Sequence, residues 1–181
     1  MTSWTVWYES WQMECCGTPF SVGDEVSLPL MITPADRLDA AEEWPLSVVE
    51  GPVRVVEDDE GDRWDVVRAE GGLDVAPHAS LGTPPGRLSV TGLLSVERHT
   101  GQWPEAVGRV VSVRILTRGY APETPGGTTY VPVPGERWLR PVDACPKWFT
   151  GDDPARRDDG ALVVLDALGG PGGPSARGRG Q

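Results

Sequence analysis

From Trp4 to Trp11 the chain reads Trp-Thr-Val-Trp-Tyr-Glu-Ser-Trp, with aromatic or β-branched residues on both faces of a two-residue repeat. A strand covered on both sides carries that pattern, because neither of its faces meets water. Phe20 and Val22 lead into the turn pair Gly23-Asp24, after which Val26, Leu28 and Leu30 alternate with less apolar positions. Thr33-Pro34-Ala35-Asp36 has the form of a helix start, with a hydroxyl to accept an orphan amide and a proline suited to the first helical position. Leu38, Ala41 and Trp44 then share one stripe before Pro45, which predicts a helix of roughly ten residues.

Beyond that helix the pattern is β. Val53–Val56 and Trp64–Val67 flank the acidic turn Asp58-Asp59-Glu60-Gly61-Asp62 and predict a hairpin. Leu88, Val90, Leu94 and Val96 alternate with Ser89, Thr91 and Ser95, as in a strand with one wet face; Val111, Val113 and Ile115 do the same. Thr129–Val133 and Glu136–Leu139 are short strand candidates, and 161–168 is apolar but too short to assign. Short strands separated by turn chemistry predict a mainly β fold. The expectation is a small OB-like or SH3-like barrel, partly open, with one short helix. A single β-rich domain is expected over 1–150, a connector and short terminal element over 151–168, and a disordered Gly/Pro tail over 169–181.

Composition sharpens this picture. Among 181 residues, 23 Gly and 18 Pro limit helix, since proline lacks the amide donor and glycine gives up the most backbone entropy. The net charge is −11, and the only charged residues of 169–181 are Arg177 and Arg179, so the body is more acidic still. Such a surface repels phosphate backbones and anionic lipid, which argues against nucleic acid and membrane as partners. No basic-then-apolar segment opens the sequence, and no apolar run approaches the ~20 residues needed to cross a bilayer. Three cysteines do not make a secreted disulfide framework, and the cytoplasm is the expected compartment.

The candidate chemistry lies with those cysteines. Cys15, Cys16 and Cys145 are the thiols present, with His99 or His78 as a further ligand for a metal such as zinc. No C-x₂₋₄-C pair exists, and adjacent cysteines on an extended strand point to opposite faces. They share a metal only if the backbone turns there, which Gly17 would permit. A Cys15–Cys16 disulfide is disfavoured, because Cα atoms across one trans peptide lie about 3.8 Å apart, below the usual 4.4–6.8 Å of a bridge. The plainer reading has one cysteine buried as a small apolar residue and the other shaping the turn.

The same residues carry a resemblance. Trp7, Trp11-Gln12, Cys15-Cys16-Gly17, Pro19-Phe20 and Val22-Gly23-Asp24-x-Val26 resemble the opening of an uncharacterised actinobacterial family known only as a domain of unknown function. The motif is firm over 7–26, within a resemblance that extends over 4 to about 150; an aromatic residue is expected at position 28, where this chain has Leu28. The resemblance implies a cytoplasmic bacterial domain and no particular chemistry.

Other constellations are weaker. Glu97 and His99 lie two apart on a strand, where a carboxylate can tune an imidazole for hydrolytic acid–base work. The turn at 58–62 does not fit a calcium loop, because Gly61 is out of register and Ala69 occupies the twelfth position. There is no P-loop, H-E-x-x-H, G-x-S-x-G or G-x-G-x-x-G motif. Eight tryptophans beside two phenylalanines suggest that one or two indoles serve as a platform, with Trp7, Trp11 and Trp103 as candidates. Missing catalytic motifs and abundant tryptophan favour a non-catalytic, acidic binding module without a cofactor, taking a protein, peptide or small ligand. The alternative is a metal- or thiol-dependent protein using Cys15, Cys16, Cys145 and His99.

Overall fold

A computed structural model describes residues 2–40, 42–149 and 153–168. Its strands are β1 (Ser3–Glu9), β2 (Phe20–Ser21), β3 (Glu25–Leu28), β4 (Leu30–Pro34), β5 (Ser47–Glu57) and β6 (Arg63–Arg68). They continue as β7 (Asp74–Pro77), β8 (Arg87–Val96), β9 (Ala106–Pro122), β10 (Tyr130–Val142), β11 (Ala144–Cys145) and β12 (Arg156–Ala167). One α-helix, α1 (Ser10–Cys16), follows β1.

Strands β4, β7, β6, β5 and β8 close a five-stranded barrel, because β8 pairs with both β4 and β5. The division occurs within β8: residues 87–92 face β5 and residues 92–96 face β4. Gly92 stands at the changeover, where a Cβ would collide with the Thr33 carbonyl, so the two strands approach there only because the side chain is absent. Val49, Val67, Val75 and Leu94 fill the interior and are inaccessible to solvent. The mainly β, small-barrel expectation is met.

The sheet does not stop at the barrel. From β8 it continues through β1, β12 and β9 to β10. β1 lies between β12 and β8, and its two faces enter different clusters, as the doubly apolar pattern requires. Trp4, Val6 and Tyr8 join the main core, whereas Trp7 packs with Leu93, Leu116 and Leu162 on the other face. Residues 161–168, unassigned by pattern, are largely the second half of β12, an inner strand. The two short candidates near 130–139 are one strand, β10, with a register shift between Pro132 and Arg137. The tail expected over 169–181 lies outside the described residues.

Two local expectations resolve differently. The helix expected before Pro45 is only a 3-10 turn at Ala35–Arg37. A ten-residue helix is marginal on propensity alone, and the apolar residues meant to hold it find other partners: Leu38 and Trp44 lie on the Trp7 cluster, with the Trp7 and Trp44 rings 5.3 Å apart. Arg118 stacks over the Trp44 ring at 5.1 Å. The hairpin at 53–67 forms as expected, with Val53 opposite Val67. At its tip Asp58 accepts from the amides of Glu60 and Asp62 and from the Trp64 indole. Those bonds, the indole's first, hold its carboxyl below the ordinary carboxylate range. The acidic tip is thus a side-chain-tied turn.

Candidate metal centre

Parallel pairing of β1 with β8 sets the site. Val6 lies opposite Leu94 and Trp7 opposite Ser95, so both strands leave the sheet at the same end. The segments that follow them, α1 and residues 97–100, therefore emerge side by side although they are far apart in sequence. Turning into a helix after Glu9 also brings Gln12, Cys15 and Cys16 onto neighbouring positions at a spacing of three and four.

Gln12 joins the two segments. It is buried, and both ends of its amide are partnered: Oε1 accepts from the Arg98 amide at 2.9 Å, and Nε2 donates to Glu97 Oε2 at 3.3 Å. Glu97 in turn accepts the amides of His99 (2.7 Å) and Thr100 (3.2 Å) on Oε1. Its carboxylate thus shapes the loop that carries His99 by gripping the backbone. The Trp11 ring lies 4.8 Å from the His99 ring and its indole donates to Glu9, so the imidazole rests against an anchored wall.

The donor atoms converge on the solvent side of this frame. Cys15 Sγ is 2.6 Å from Cys16 Sγ, and Cys16 Sγ is 3.5 Å from His99 Nε2. All three ligand atoms lie within 4.8 Å of one another, and all three residues are exposed. Hydrogen bonding with Cys15 is the main cause that raises the Cys16 thiol above its ordinary range, opposed by the positive charges of Lys147 and Arg98.

The end of α1 is held firmly. Gly17 donates its amide to the carbonyls of Gln12 (3.1 Å) and Met13 (3.0 Å). A Cβ at Gly17 would strike Met13 Sδ and the Tyr8 hydroxyl, so only glycine lets the chain pass so close beneath the cysteines. Lys147, the sole lysine, donates to the carbonyls of Met13 (2.8 Å) and Gly17 (3.0 Å), placing a cation at the negative end of the helix. Phe149 ties the same segment to Glu14 through its amide.

Cys145 is not in this cluster. It sits in β11 opposite Phe20, with no exposed surface, and burial pushes its thiol up to about 12. His78 ends the β7 region, with its amide donating to Ile32. Of the three candidate platform tryptophans, Trp7 and Trp103 are buried; the Trp103 ring packs tilted against Trp64, and its indole donates to the Leu30 carbonyl. Trp11 alone of the three is open to solvent, at 48 % exposure. Sequence reasoning passed over Gln12 and Lys147, the two residues that fix the frame. The usable signal was a polar residue three and four positions before a Cys-Cys pair, once that stretch is read as helix.

No curated protein matches the chain, and no solved structure matches it. A family model matches residues 2–167, nearly all of the described fold, including α1, the 97–100 loop and β12. The chain therefore belongs to DUF6578, a family of unknown function.

Proposed function

We propose that this domain is a non-catalytic binding protein whose ligand is a thiophilic metal ion, zinc foremost, held by Cys15, Cys16 and His99. One observation carries the reading: two thiols and an imidazole nitrogen, from segments 83 residues apart, converge within 4.8 Å. A metal bonded at about 2.3 Å to sulfur and about 2.0 Å to nitrogen needs ligand atoms roughly 3.3–3.8 Å apart, which rotation of exposed side chains supplies. Two sulfurs and one nitrogen are soft to intermediate donors, suited to zinc or a cuprous ion and poorly suited to calcium or magnesium. Glu97 and Gln12 would serve as the outer shell that orients the histidine loop. Three protein ligands leave a fourth position open to solvent or to a second ligand.

Zinc titration of the reduced full chain, followed by calorimetry, tests this reading. Saturation at one zinc per chain, abolished in Cys16→Ser and His99→Ala, is expected; identical binding isotherms for these variants and the parent would refute it. A second reading, a peptide or small-ligand face, draws on the exposed rings of Trp11 and of Trp148, which is 63 % exposed and carries Lys147 5.8 Å from its ring. Quenching of their fluorescence by a ligand panel in metal-free buffer would favour that face.

A further inference from the structure

The two sulfurs of the site are neighbours along the chain as well as in space, and that points to chemistry beyond metal binding. Both thiols are exposed and free, and their Sγ atoms are 2.6 Å apart. Cys16 is the last residue of α1 and Gly17 beyond it is already extended, so closing the bridge disturbs only the final turn, where the Gly17 amide bonds to Gln12 and Met13 would have to shift. The third thiol cannot interfere, because Cys145 has no exposed surface.

We propose that Cys15 and Cys16 are a reversible modification site, closing to a disulfide between adjacent residues when they meet a low-molecular-weight disulfide. The reaction balances in two exchanges. One cysteine sulfur attacks the external disulfide, forming a mixed disulfide and releasing one small thiol. Its neighbour then attacks the cysteine sulfur of that mixed disulfide, forming the Cys15–Cys16 bond and releasing the second small thiol. The two cysteine protons leave with the released thiols; the protein is oxidised by two electrons and the external disulfide is reduced by two. Adjacent Cα atoms, about 3.8 Å apart, are closer than a relaxed bridge prefers, and a strained, exposed disulfide is readily reduced again. This reverses the sequence-based objection: the crowding that makes the bridge a poor structural staple makes it a suitable switch.

Closing the bridge removes both sulfur ligands, so oxidation would empty the proposed zinc site. That consequence rests on the metal reading; the disulfide itself does not. The test treats the full reduced chain with oxidised glutathione and reads intact mass, peptide maps and zinc titration. Wild type is expected to lose the mass of two hydrogens and carry no glutathione, with the link mapped to one peptide containing residues 15 and 16. Cys15→Ser and Cys16→Ser are each expected to stop at a single glutathione adduct. Mild dithiol reductant should restore the starting mass. A wild type that retains glutathione or links two chains would overturn the proposal. Zinc affinity of the oxidised chain should fall at least ~100-fold, beyond the 10–100-fold typical of losing an outer-shell partner. A bridge that forms in a chain binding no zinc when reduced refutes the metal reading alone; zinc binding without a bridge refutes this proposal alone.

Discussion

Cys145 and the Cys15–Cys16 pair carry the same side chain into opposite surroundings. Cys145 faces the core from a two-residue strand, and desolvation pushes its thiol up to about 12, so near neutrality it is a small apolar filler. Cys15 and Cys16 end a seven-residue helix in the open, with an imidazole nitrogen 3.5 Å from the second sulfur and a lysine gripping the carbonyls beneath them. A thiolate is the form that binds metals and attacks disulfides, and it needs access to water and counter-charge. The fold leaves the pair open to water, with Lys147 and Arg98 opposing the rise that Cys15 causes at Cys16, and denies the third thiol that access. Reactivity here is a property of place.

The sharpest way to break that comparison is to exchange the two regions' fates. Replacing both Cys15 and Cys16 by serine should lower zinc affinity by more than ~100-fold, whereas Cys145→Ala should leave it unchanged; titration of each purified variant checks this. Next in size, Glu97→Ala frees the amides of His99 and Thr100 and should weaken zinc binding about 10–100-fold while all three ligands remain. Gln12→Ala should add a stability cost of about 1–3 kcal/mol, visible as a lower urea midpoint, because it strips a buried link between α1 and the loop. Cys145→Ser should cost a similar ~1–3 kcal/mol by burying an unpartnered hydroxyl, with no change in metal binding.

Alkali tests the same contrast over a separate pH range. The fold raises both Cys145 and Tyr120 to about 12, the latter through burial and then through its bond to Asp159. Their unfolded values are about 8.5 and 10. Raised acids favour the folded state below the unfolded value, and that contribution is lost as pH climbs toward 12. Melting temperature should therefore fall across that interval, and the fall should be shallower in Cys145→Ala. An equal slope in both proteins would show that the buried thiol does not feel the environment described.

How much of this was legible in the sequence depended on range. Alternation in 88–96 and 111–115, and the paired runs around the acidic tip, report strands directly, because one wet face and one dry face repeat every two residues. The doubly apolar run at 4–8 correctly marks a strand covered on both sides. The helix after Thr33 was misleading: good capping chemistry is local, whereas Trp44 is captured by Trp7 from a strand far away in sequence. The cysteine site was half visible. Residue types named Cys15, Cys16 and His99, but their meeting depends on the parallel register of β1 with β8, a pairing that no local pattern specifies. The same limit applies to tryptophan, where composition cannot separate the buried Trp103 from the open Trp11.

The most direct test of the proposed centre is zinc-edge X-ray absorption on the reduced full chain loaded with one equivalent of zinc. The arrangement of Cys15, Cys16 and His99 predicts a first shell with two sulfurs near 2.3 Å and one imidazole nitrogen near 2.0 Å. A shell made only of oxygen and nitrogen would contradict it.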